Sequence, residues 1–143
     1  SFAAKYMGIL LGPEADDSQW VTPTAKFLKA ATRWARGPWG TQLGCYIWNV
    51  FLHSILTFVA QFATPTPFVV SAERTALRLM FPGPANWITT EALFQLKNSF
   101  GFAQAPRSIV QVSKAAMLRD MSVSLIGALF HAYCDVFAFW TKV

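Results

Sequence analysis

The stretch that decides the fold is TQLGCYIWNVFLHSILTFVAQFA, Thr41 to Ala63. It lies within a longer run, Gly37 to Ala72, that has no Asp, Glu, Lys or Arg. A helix over Thr41–Ala63 rises roughly 34 Å, enough to cross a bilayer core. The run therefore sits in lipid or forms the buried centre of a helical protein.

The helix is not uniformly apolar. Gln42, Tyr46, Asn49, His53, Thr57 and Gln61 recur at helical spacing and define one narrow face. That face carries amides, a phenol, an imidazole and a hydroxyl, but no charge. A solvated face would carry Lys and Glu, so this one is expected to meet another helix, as polar seams do between membrane helices. The tail, MSVSLIGALFHAYCDVFAFW from Met121 to Trp140, has a counterpart: Ser124, Gly127 or Ala128, His131 and Asp135 share a face. His131 and Asp135 are one helical turn apart, so the carboxylate can hold the imidazole.

Outward from the apolar helix, every break is set by Pro or Gly. Residues 1–12 read as a short apolar strand or turn ending at Gly12-Pro13, followed by an acidic turn over Glu14–Asp17. Pro23 suits the first turn of a helix over about 23–36, with Thr22 as N-cap. Lys26, Lys29, Arg33 and Arg36 share one face of it, opposite Phe27, Ala30, Ala31 and Trp34. The Thr64-Pro65-Thr66-Pro67 turn ends the apolar helix. A charged helix follows over about 67–81, where Phe68, Ala72, Leu79 and Met80 alternate with Glu73, Arg74 and Arg78. Thr89 or Thr90 caps a helix over about 90–99, and Ser108 caps one running through Leu118. The expectation is an all-α protein of five to six helices, two of them long and apolar (about 41–63 and 121–140). It forms a single domain: an extended segment 1–22, a helical body 23–119 and an apolar C-terminal helix 120–143.

Composition points the same way. Charged residues are 13% of the 143-residue chain, against about 25% in ordinary soluble domains, and aromatics reach 15%. Such a surface calls for a permanent partner or a membrane. The net charge of +5 fits an anionic partner, whether nucleic acid, anionic lipid or an acidic protein. Cys45 and Cys134 lie in apolar runs and read as buried reduced thiols rather than a disulfide framework. The chain begins at Ser1 without Met or a signal peptide, which reads as a processed, truncated or partial sequence.

Catalytic constellations are poor, and no catalytic or metal-ligating residue is assigned. A set drawn from Ser54, His131 and Asp135 matches no nucleophile elbow. The two Cys and two His lack paired ligand spacing for zinc. No P-loop and no GxGxxG occurs. Asp16-Asp17 reads as a solvated acidic loop. His53 and His131 have two readings: structural histidines with satisfied hydrogen bonds, or axial ligands of a porphyrin-type cofactor, chlorophyll or haem. The patch of Lys26, Lys29, Arg33 and Arg36, beside Trp34 and Trp39, has three: phosphates of nucleic acid, a membrane interface, or a solvated face.

The order of motifs carries a resemblance. Lys5-Tyr6-Met7-Gly8-Ile9-Leu10-Leu11-Gly12-Pro13 resembles the segment that follows the palm in non-LTR (LINE-type) reverse transcriptases. In that family a basic helix follows, then an apolar helix with an aromatic-Asn step, then a Pro-rich turn. Here these look like Lys26–Arg36, Trp48-Asn49 through Gln61, and Pro65-Thr66-Pro67. Pro82-Gly83-Pro84-Ala85-Asn86-Trp87 and Lys114-Ala115-Ala116-Met117-Leu118-Arg119 are similar to retroelement-derived algal reading frames. The resemblance covers about residues 5–119. It implies that Lys5 to Gly12 correspond to the primer grip and the following helices to the thumb, which contacts the primer–template backbone. The palm with its metal-binding Asp pair would lie before Ser1.

Two functional expectations follow. The first is a non-catalytic accessory subunit embedded in or docked on a membrane complex, photosynthetic or otherwise respiratory, in the plastid thylakoid or the mitochondrial inner membrane. Its partners would be lipid and a larger multi-subunit assembly. The second is a thumb-like fragment that binds nucleic-acid backbone and has no polymerase activity. Asp135 weighs against the first, because a carboxylate mid-span costs roughly 2.5–3.5 kcal/mol unless paired.

Overall fold

The computed structural model describes residues 4–6, 9–11 and 15–141, with side chains for 18–132 except 86. The body is all-α. An antiparallel pair, β1 (Ala4–Tyr6) and β2 (Ile9–Leu11), precedes it, with Lys5 opposite Leu10. Seven helical segments follow: α1 (Ala15–Trp34), α2 (Thr41–Ile47), α3 (His53–Ala60), α4 (Pro67–Met80), α5 (Thr90–Phe94), α6 (Leu96–Phe100) and α7 (Ile109–Thr141).

α1 begins at Ala15, so residues expected to be extended or in an acidic turn are helical, and Pro23 lies inside the helix rather than at its start. Burial overrides the proline signal. Trp20, Thr24, Phe27 and Ala31 form one stripe at helical spacing, and all are fully buried. The Trp20 indole also donates Nε1–H to the Thr64 carbonyl at 3.0 Å, tying α1 to the turn after α3. Burying such a side chain stabilises by about 2–3 kcal/mol, comparable to the cost of an interior Pro.

α2 and α3 are one continuous helix, Thr41–Ala60, joined by a π turn over Trp48–Leu52. The His53 N–H bonds back to the Trp48 carbonyl there. Successive steps of four residues drift about 40° on a regular helix. The wider π turn offsets that drift, so Asn49, His53 and Thr57 stay on the inward side while Trp48, Leu52 and Leu56 remain in the core. Thr41–Ala60 is the helix among the described residues that is long and apolar enough to cross a membrane, and half of it is buried inside the fold.

The core lies where α1, α3 and α4 meet, closed by the start of α7. Phe27 and Trp48 pack edge to face at 5.5 Å and 80°. The α4 stripe differs from the expectation. Val69, Ala72, Ala76, Leu77 and Met80 are buried, whereas Phe68 and Leu79 face outward. The expected helix over 90–99 is split at Gln95 into α5 and α6. Thr89 caps α5, accepting from the Ala92 N–H at 3.2 Å, and α6 ends at Gly101, whose φ of 68° favours glycine.

A second correction concerns the tail. No separate C-terminal helix starts at 120; α7 runs unbroken from Ile109 to Thr141. Arg119 and Asp120 hold no breaker, and the chain offers neither Pro nor Gly until Gly127. Residues 118–132 of α7 are exposed on every side.

Candidate functional site

The basic face forms as expected. Lys26, Lys29 and Arg33 project from α1, and Arg36 from the turn after it; all four are exposed. They line a cleft of about 1040 Å³ together with Trp34, Trp39 and Gly37. Among the described residues no carboxylate lines it, and the one ion pair is Arg74–Glu91 at 3.9 Å, on another face, so none of the four cations has an ion-pair partner among them.

The aromatic wall of the cleft is built from the chain turn. Trp39 folds back and donates Nε1–H to the Trp34 carbonyl at 2.7 Å, with the two rings 5.9 Å apart. Trp34 stacks in turn on Phe51, at 5.1 Å and 25°. A Cβ at Gly37 would collide with the Trp39 indole, so this position needs glycine for space. The cations thus rest against a rigid apolar shelf anchored to the π turn.

The polar seam is formed only at its centre, and its partner is not the tail. Asn49 donates Nδ2–H to the Ala105 carbonyl and accepts from the Arg107 N–H, each at 2.9 Å. Trp48 donates Nε1–H to the Arg107 carbonyl at 3.0 Å. Segment 105–107 is thereby clamped along the helix. Thr57 Oγ1 lies 2.9 Å from His53 Nδ1. Gln42, Tyr46 and Gln61 are exposed. The predicted counterpart does not meet this face: His131 lies on the exposed outer half of α7, and the Asp135 side chain is outside the described residues.

His53 is buried; its Nε2 makes no well-formed hydrogen bond among the described residues, although the Ser108 backbone lies close enough to the ring to favour its charged form. Burial, with the Arg107 charge adding to it, lowers its pKa from 6.5 to about 4, so the ring is neutral. A macrocycle needs an open face beside its ligand; His53 is enclosed by its own chain, whereas His131 is exposed on the outer half of α7. Cys45 is buried and free, and desolvation raises its thiol to about 11. Cys134 lies outside the described side chains. Among the described residues no three His, Cys, Asp or Glu side chains converge on a metal-sized site.

Glu73 has a role that the sequence reading missed. It is 2% exposed, and its Oε1 accepts the Ile109 N–H at 2.7 Å. It serves as a cap for α7 supplied from α4, beside Ser108. Desolvation is the largest influence on its carboxyl and raises it from 4.5 to about 7, against the opposing Ile109 and Ser108 hydrogen bonds. The signal was present: Glu73 sits in the middle of the Val69, Ala72, Ala76, Leu77, Met80 stripe. A carboxylate on an apolar face needs donors, and a helix N-terminus supplies them.

No protein-family model, curated protein or solved structure matches this chain significantly.

Proposed function

We propose that the chain is a thumb-like, non-catalytic module that binds the sugar–phosphate backbone of a nucleic-acid duplex through the α1 cleft. The observation that carries this reading is the cleft itself, where four cations stand on an aromatic shelf with neither a carboxylate nor an ion-pair partner among the described residues. Phosphates spaced along a backbone suit such a row, and affinity then comes from counterion release. The order of elements also supports it. The antiparallel strands Ala4–Tyr6 and Ile9–Leu11 precede a basic helix and then a long apolar helix, and the resemblance to LINE-type reverse transcriptases implies that order of basic and apolar helices. The long helix has the Asn49 carboxamide held by segment 105–107 of its own chain, which suits a core helix better than a span. The test is anisotropy of a labelled RNA–DNA hybrid: binding at low salt that weakens steeply as salt rises supports the reading, and no binding at low salt refutes it.

A second reading keeps the chain as an accessory subunit embedded in or docked on a membrane complex in a plastid or mitochondrion. It is favoured by the outer half of α7, where Leu118, Met121, Val123, Leu125, Ile126, Leu129 and Phe130 are each more than 60% exposed. A helix apolar on all sides calls for lipid or protein around it. Carbonate extraction tests the embedded form of this reading: retention in the membrane pellet supports it, and release into the aqueous phase opposes it.

A further inference from the structure

A second recess lies apart from the α1 cleft. Segment 103–107, clamped by Asn49, separates α6 from α7 and leaves a cleft of about 460 Å³. Lys97 and Arg107 stand at its edge, exposed, with the carboxamides of Asn98 and Gln111 beside them. An adjoining cleft of about 390 Å³ lies between α2 and the same segment, against the Tyr46 ring. Ala103 and Gln104 line both, so the two clefts adjoin along this segment as the two ends of a groove. Among the described residues no Asp or Glu lines either part and neither cation is ion-paired.

The groove therefore presents cations and amides at one end and an exposed phenol ring, 48% accessible, at the other. Asn49 has both its amide atoms committed to segment 105–107, and its Nδ2 also reaches Gln104 Oε1 at 3.5 Å, so the carboxamides left without a partner among the described residues are those of Asn98 and Gln111. A positive edge beside an aromatic platform is the arrangement that holds single-stranded nucleic acid: the backbone tracks the charge and a base stacks on the ring. A duplex cannot use the ring, because its bases are already stacked on one another.

We propose that this groove takes one unpaired nucleotide of a single-stranded segment, with its phosphate at Lys97 and Arg107 and its base on Tyr46. The inference rests on the nucleic-acid reading of the α1 cleft only for the duplex that would deliver the strand.

The test compares three labelled probes at about 50 mM salt: a blunt RNA–DNA hybrid, the same hybrid with a single-stranded tail, and the tail alone. The tail is expected to tighten binding to the native chain about tenfold. Tyr46→Ala and Lys97→Ala, both at exposed positions, should each remove that gain and leave blunt-hybrid affinity unchanged, and Tyr46→Phe should retain it. A tail that adds nothing to the native chain overturns the proposal, as does a gain that survives both substitutions. If the blunt hybrid is bound and the tail is ignored, this proposal fails and the α1 reading stands. If the tail alone binds in a Tyr46-dependent way while the blunt hybrid does not, the reverse holds. If none of the probes binds, both fail.

Discussion

Glu73 Oε1 stands 2.7 Å from the Ile109 backbone nitrogen, so a residue in the middle of α4 caps the N-terminus of the 33-residue helix α7. The contact fixes where α7 starts and so aligns segment 105–107, which walls both the core and the groove. Replacing Glu73 by Ala leaves a buried N–H without an acceptor and should cost about 1–3 kcal/mol in urea unfolding at pH 5. Glu73→Gln keeps an acceptor of the same shape and should cost less.

The same carboxyl sets a pH dependence opposed by His53. Glu73 is raised from 4.5 to about 7, so its contribution is complete below 4.5 and is lost as pH rises to about 7. His53 is lowered from 6.5 to about 4, so its contribution is complete above 6.5 and is lost as pH falls to about 4. Between 4.5 and 6.5 the unfolded chain carries the proton on His53 and the folded chain carries it on Glu73. The two slopes cancel there. Relative to the native chain, Glu73→Gln should gain stability with rising pH across that window, and His53→Leu should lose it, each by about 1.4 kcal/mol per pH unit. Urea titrations at pH 5 and 6 check this; parallel curves for the native chain and both variants would contradict it.

Trp20 anchors α1 despite Pro23. Trp20→Ala removes a fully buried indole and the Thr64 bond, and should cost about 3–5 kcal/mol. Trp20→Phe should cost much less, since it loses chiefly the hydrogen bond. Chemical denaturation of the two variants distinguishes packing from tethering.

Cys45 should be inert in the native state. Its thiol is buried and raised to about 11, and the thiolate is the reactive form. Peptide mapping after iodoacetamide at pH 8 should find Cys45 unlabelled until denaturant is added.

Much of the architecture was legible in the sequence. Gly37-Pro38 and the Pro65-Thr66-Pro67 turn bracket Thr41–Ala60 because Pro and Gly act locally. The basic face of α1 was legible for the same reason, since residues at spacings of three and four share a face whatever surrounds them. Three features depended on distant partners. The start of α1 is set by Trp20 meeting Thr64, which local propensity cannot register. Glu73 was read with its charged neighbours Arg74 and Arg78 rather than with the apolar stripe it interrupts, so its cap went unseen. Of the seam Gln42, Tyr46, Asn49, His53, Thr57 and Gln61, only His53 is buried, Asn49 and Thr57 are half-buried and the rest are exposed. Asn49 meets segment 105–107 of the same chain, and uncharged chemistry does not say what lies opposite. The tail appeared as a separate helix because its composition changes at 120, although composition alone breaks no helix.

The measurement that bears most directly on the α1 cleft is the salt dependence of affinity for a blunt RNA–DNA hybrid, compared between the native chain and Lys29→Ala/Arg33→Ala. If the four cations each neutralise a phosphate, the slope of log K against log salt is about −3 to −4 for the native chain and falls by about 2 in the variant. Affinity that ignores salt, or a variant with the native slope, would contradict the account.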